Sequence, residues 1–115
     1  MQYMIINYVP ADGMAKSTNP MDVPDGPAWG AYTKALIDAG VMRGGNALHG
    51  SHAATTVRMR GVNRQVQDGP YAESKEQMGG YYIIDVPNLD VALEWAAKNP
   101  AAKTGAVEVR PIFTQ

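Results

Sequence analysis

The chain has 115 residues, a net charge of −1, 45% hydrophobic and 18% charged residues, and no cysteine. Those values suit one modest hydrophobic core and exclude global disorder, disulfides, thiolate metal sites and cysteine nucleophiles. Lys and Arg are spread along the chain, whereas nucleic-acid binding needs several of them together on phosphates, so no direct nucleic-acid partner is expected.

The opening MQYMIINYVP lacks a basic region ahead of a long apolar run, and so does not read as a signal peptide. No segment reaches the ~20 apolar residues of a membrane helix. The expectation is a cytoplasmic protein with one domain over residues 1–115, no membrane contact, no cofactor and no metal.

Tyr3–Val9 predicts the first strand, with Met4, Ile6 and Tyr8 on one face. The other face carries Tyr3, Ile5 and Val9, with Asn7 as its one strongly polar member. Pro10–Asp25 reads as a loop broken by Gly13, Asn19, Pro20 and Pro24. A helix follows over Gly26–Ala39: Asp25 suits its cap, Pro27 its first turn and Gly40 its stop. Trp29, Tyr32, Leu36 and Ala39 form its stripe; core contact is the favoured reading and ligand stacking the alternative.

Val41–His49 starts a second strand, weakened by Gly44 and Gly45. Thr55–Arg60 alternates, Gly61-Val62-Asn63 turns, and Arg64–Gln67 returns, which predicts a β-hairpin. Asp68–Gly80 is the next loop, and Gly80–Val86 the strand after it, with YYIIDV at its centre. A helix then runs to Lys98, with Leu89, Ala92, Leu93 and Ala96 at core spacing, and Asn99-Pro100 ends it. Val107–Ile112 is the last strand. The order is β-α-β-β-α-β with an extra hairpin, a ferredoxin-like α+β fold. Two helices cover one sheet face, yet the first strand and Gly80–Val86 are bulky on both. A symmetric dimer joining two sheets is the simplest cover.

Asp68-Gly69-Pro70 is a turn signal. Tyr71, Glu73, Ser74, Lys75, Glu76 and Gln77 then crowd acid, base, hydroxyl and amide groups into seven residues. Gly79-Gly80 permits a close approach as the strand begins. Asp68, Glu73 and Lys75 are therefore candidates for proton transfer, against the alternative of a solvated, self-paired loop. His49 and His52 are the two histidines; either suits general acid–base work near neutral pH, a metal or, as the plainer reading, a structural place. His49 is taken as a catalytic candidate and His52 as a ligand-binding one. Tyr71, Tyr81 and Arg110 join the ligand-binding set, since an arginine in a dimer cavity can grip a carboxylate or phosphate with two bonds. A salt bridge between Glu108 and Arg110, which share a strand face, competes with that use. Asp85, an acid inside an apolar strand, suits a strand end or an arginine partner.

The segments DGPYAESKEQMGGYYIIDV, LDVALEWAAKNPAA and GAVEVRPI, with ATTVRMRG and YMIINY, resemble the DGPF-type members of the YCII-related family. Tyr71 stands where that motif has Phe. The resemblance implies a dimeric α+β barrel of ferredoxin-like protomers. It also implies kinship with enzymes acting on small cyclic or chlorinated aromatic compounds through a His–Asp pair, a role that no motif carries to His49 or His52. Many DGPF proteins are encoded near sigma factors. Two functions follow as expectations: a lyase- or isomerase-type enzyme on a small acidic or cyclic molecule, or a non-catalytic ligand-binding or regulatory partner associated with a sigma factor. A site-free structural dimer is the third.

Overall fold

The computed structural model describes residues 1–13 and 25–114. Most of the loop expected over Pro10–Asp25 therefore lies outside the described residues. Strand β1 spans Gln2–Pro10, and a 3-10 turn follows at Ala11–Gly13. Next come α1 (Gly26–Asp38), β2 (Met42–Ala47), a 3-10 turn (Ser51–Ala53), β3 (Thr55–Arg60) and β4 (Asn63–Asp68). The chain continues with β5 (Glu76–Asp85), α2 (Leu89–Lys98), α3 (Ala101–Thr104) and β6 (Ala106–Pro111).

Four strands form an antiparallel sheet in the order β2-β5-β1-β6. The two helical crossovers, β1-α1-β2 and β5-α2-β6, each skip one strand, which is the split βαβ arrangement of ferredoxin-like folds. β3 and β4 pair only with each other and form a separate hairpin.

The alternation in β1 is realised as expected on the helical side. Tyr3 and Ile5 join Tyr82, Ile84 and Val86 beneath Tyr32, Leu36, Ala92 and Ala96. Tyr32 meets Tyr82 edge-on at 5.3 Å, and its hydroxyl donates to the Trp95 carbonyl at 2.9 Å. Thr33 Oγ1 and the Tyr82 hydroxyl lie 2.7 Å apart. Asn7, the polar member of its face, is buried and accepts from Asn99 Nδ2 at 2.6 Å.

The end of α1 and the start of α2 follow local chemistry. Gly40 adopts φ +73°; its N–H bonds Ile37 O at 2.9 Å, while Val41 N–H bonds Leu36 O at 3.2 Å. That pair of bonds is a Schellman stop, open to glycine because its left-handed backbone carries no Cβ. Asn88 caps α2 by accepting from Val91 N at 3.0 Å. Asp25 does not cap α1: its backbone is left-handed (φ 58°) and its side chain takes no first-turn bond. A capping side chain needs the extended backbone that Asn88 has and Asp25 lacks.

α2 is rotated from the expected stripe. Ala92 and Ala96 are buried and Val91 and Trp95 pack on the core, while Leu89 and Leu93 stay 47% and 48% exposed. Trp95 contacts the Tyr32 ring at 6.5 Å, and seating that large ring turns the two leucines outward.

Burial sets a pH limit on this core. It pushes the Tyr32 phenol up from 10.0 to about 12, with the Asn99 side chain pulling down and Tyr82 adding to the rise. The Tyr82 phenol is raised as well, by burial against the lowering bond to Thr33. The folded state favours neutral phenols, so their stabilisation is complete below the ordinary tyrosine value of about 10 and is lost as pH climbs toward the folded value. The denaturant midpoint is expected to fall between pH 10.0 and about 12. Tyrosinate absorbance should show the Tyr32 and Tyr82 phenols ionising only as the chain unfolds; ionisation of both below the unfolding transition would contradict the packing.

Candidate functional site

The antiparallel order collects distant candidates at one end of the sheet. β1 ends there at Pro10 and β5 begins there at Glu76, its register partner. β2 finishes at the same end, with Ala47 opposite Gly80. Leu48 N–H then bonds Gly79 O at 2.9 Å, so the segment with His49 and His52 leaves alongside the start of β5. The Asp68–Lys75 segment returns from the hairpin to this end, where Ala11 N–H bonds Lys75 O at 2.8 Å. His49, His52, Asp68, Tyr71, Glu73 and Lys75 thus share one end of the sheet, and all six are exposed on the single chain.

The loop is shorter than expected. Asp68 closes β4 and Glu76 opens β5, which leaves residues 69–75 as the connection. Gly69 adopts φ +102°, its N–H bonds Ala54 O at 2.7 Å, and its carbonyl accepts from Thr56 Oγ1 at 2.9 Å. The Asp68 side chain makes no hydrogen bond among the described residues. The Tyr71 ring stacks under the Arg58 guanidinium at 4.7 Å.

In the sequence Gln77 looks like one more polar loop group. It is buried, and its Nε2 donates to Ala72 O at 2.9 Å and Ser74 O at 3.1 Å. Its place in β5 makes it a fixed post from which two loop carbonyls hang. Gln77→Ala is expected to free residues 72–75, raising proteolytic nicking there at least fivefold while the free energy of unfolding falls by about 1–2 kcal/mol. Unchanged nicking would show that the loop holds its own shape.

The helix-free face is apolar at its centre and polar toward its rims. Register places Met4 beside Ile83 and Arg110, Ile6 beside Tyr81 and Glu108, and Tyr8 beside Met78 and Ala106. Ile6 is 7% exposed and is not part of the cluster packed beneath the helices. Asn46 Nδ2 donates to the Tyr81 hydroxyl at 2.8 Å, and Arg110 Nη2 bonds Glu108 within β6. Tyr81 therefore lies mid-face, while Arg110 sits toward the end away from the histidines. Asp85 pairs at the strand end with Arg43 Nε at 3.9 Å and with the Met1 amino group at 3.1 Å.

Among the described residues no three His, Asp or Glu side chains gather as metal ligands. A groove of about 460 Å³ opens on the opposite side, between α1 and α2–α3, lined by Tyr32, Trp95, Lys98 and Lys103 among others. None of His49, His52, Asp68, Tyr71, Glu73, Lys75, Tyr81 and Arg110 lines it. No described helix is long and apolar enough to cross a membrane.

The family model for the YCII-related domain matches residues 1–114. The chain belongs to the YCII-related family. An uncharacterised protein of Rhizobium meliloti (strain 1021) is 39% identical over 84 residues, which span 71% of this chain and 68% of that protein. Among solved structures, the chain resembles the 5-chloro-2-hydroxyhydroquinone dehydrochlorinase of Burkholderia phenoliruptrix AC1100 in complex with 2,5-dihydroxybenzoquinone. The TM-score is 0.52 at 14% identity, over 100% of this chain and 96% of the other. At that identity the likeness is one of fold, and it agrees with the ferredoxin-like topology of this YCII-related chain.

Proposed function

We propose that the protein is a lyase- or isomerase-type enzyme for a small acidic, cyclic molecule, working as a cytoplasmic homodimer. Its chamber is the helix-free face closed by a second copy. The observation that carries this reading is the chemistry of that face: an apolar floor of Met4, Ile6 and Ile83 with the Tyr81–Asn46 and Arg110–Glu108 pairs beside it. A ring fits the floor, and its ionised oxygens suit Arg110 and the Tyr81 hydroxyl. The fold likeness to a dehydrochlorinase holding a dihydroxybenzoquinone supports the same substrate class.

Proton transfer is assigned to His49, Asp68, Glu73 and Lys75, exposed residues that leave the same end of the sheet, with Tyr71 and His52 as ligand contacts. A base there takes a proton from the ring, and the leaving group departs or the proton returns at another position; neither outcome needs a redox cofactor. Exposure of Asp68, Glu73 and Lys75 on the single chain favours a second reading, ligand binding without turnover by a regulatory partner of a sigma factor.

Titration with 2,5-dihydroxybenzoquinone and small carboxylates tests the site. Arg110→Ala is expected to weaken binding about tenfold or more, the loss of one charge-assisted contact. Equal binding by both proteins would remove the helix-free face from the reading. Tight binding with no product from any probe would favour the regulatory alternative.

A further inference from the structure

We propose that the β3–β4 hairpin is a self-association element that joins two copies of the chain face to face about a twofold axis. An isolated two-stranded hairpin is marginal in water and needs cover on at least one face. Here one face has cover: Thr56 bonds the Gly69 carbonyl and Arg58 stacks on Tyr71. The other face has none among the described residues. It carries three cross-strand rows, Thr55/Asp68 at the base, Val57/Val66 in the middle and Met59/Arg64 toward the tip. Val57 and Val66 are each 56% exposed and Met59 is 55% exposed.

The charges on that face choose the occupant. Asp68 stands at one end of the valine pair and Arg64 at the other, and neither has an ion-pair partner among the described residues. Rows two residues apart are separated by roughly 7 Å along the strands. Turning a second copy by a half-rotation lays its base over this tip and its tip over this base. Each Arg64 then meets the other copy's Asp68 region, and the two Val57/Val66 pairs close on each other. The face is thus complementary to itself, as an isologous contact requires. The inference does not depend on what the helix-free face binds.

The absence of cysteine makes the test direct. Val66→Cys is expected to form a disulfide-linked pair of chains on mild oxidation. Val62→Cys, at a tip position 95% exposed, should not, because its own counterpart lies at the far end of the contact. Arg64→Asp should weaken self-association about tenfold by placing two acids together, and Arg64→Asp with Asp68→Arg should restore it. Linking of Val62→Cys as readily as Val66→Cys, or no rescue by the double reversal, overturns the proposal. If Val66→Cys stays unlinked while the chain still associates through the helix-free face, the hairpin contact falls and the proposed chamber stands. If Val66→Cys links while Arg110→Ala binds as the parent does, the hairpin contact stands and the chamber falls.

Discussion

Asn99→Ala is expected to lower the free energy of unfolding by about 3 kcal/mol, and the thermal midpoint by about 12 °C. Asn99 is 1% exposed and is the polar hinge between α2 and α3. Its Nδ2 donates to Asn7 Oδ1 at 2.6 Å and its Oδ1 accepts from Ala101 N at 2.9 Å. Alanine strands two buried polar groups at once, the Asn7 side chain in β1 and the Ala101 N–H that starts α3. Each orphaned group costs about 1–3 kcal/mol, more than the bond itself contributes. Aspartate is no remedy, because it returns the acceptor but removes the donor and buries a charge. Urea titrations with an unchanged slope give the value cleanly; a loss under about 1 kcal/mol would mean that water reaches the pair.

Gly105→Ala is expected to be at least as damaging, by overpacking rather than by lost bonds. Gly105 follows α3, where its N–H bonds Ala101 O at 2.8 Å, and leads straight into β6. A Cβ built there falls 2.1 Å from Tyr8 O and 3.0 Å from Tyr8 C. Those atoms belong to the backbone of β1, so no flexible side chain can move aside. Relief requires β6 to part from β1 near the Tyr8–Ala106 pairing, at a cost of about 3 kcal/mol or more. Hydrogen exchange should show β6 amides unprotected first. Unaltered protection and midpoint would mean that the α3–β6 corner is looser than its packing indicates.

Much of the fold is legible in the sequence because its signals are local. The two-sided alternation of Tyr3–Val9, the helical spacing of Tyr32 and Leu36, and Gly40 after the last helical turn all sit where short-range rules place them. The departures arise where tertiary contacts override those rules. Glu76 and Gln77 look like loop residues, yet they open β5 because Pro10 and Val9 stand opposite to pair with them. The rotation of α2 away from Leu89 and Leu93 depends on Trp95 reaching Tyr32, a contact that no helical period contains.

The candidate site divides along the same line. The DGP segment announces itself as a dense polar turn, and the glycine at its centre is required by a positive φ. That His49 and His52 stand at the same end of the sheet follows from β2 lying against β5, a long-range pairing invisible to spacing. Gln77 could have been found only by asking which polar side chain of that run faces inward, and in-out phase is uncertain where a strand starts.

Light scattering of the parent beside Ile83→Glu tests the central claim most directly. Ile83 faces the open side of the sheet, away from the helices, so glutamate there leaves the core intact. Coverage of the helix-free face by a second copy predicts a parent heavier than the 12.4 kDa chain and a variant of half the parent's mass, with unchanged circular dichroism. A parent of 12.4 kDa, or an Ile83→Glu variant that keeps the parent's mass once Arg64→Asp has removed the hairpin contact as well, would contradict it.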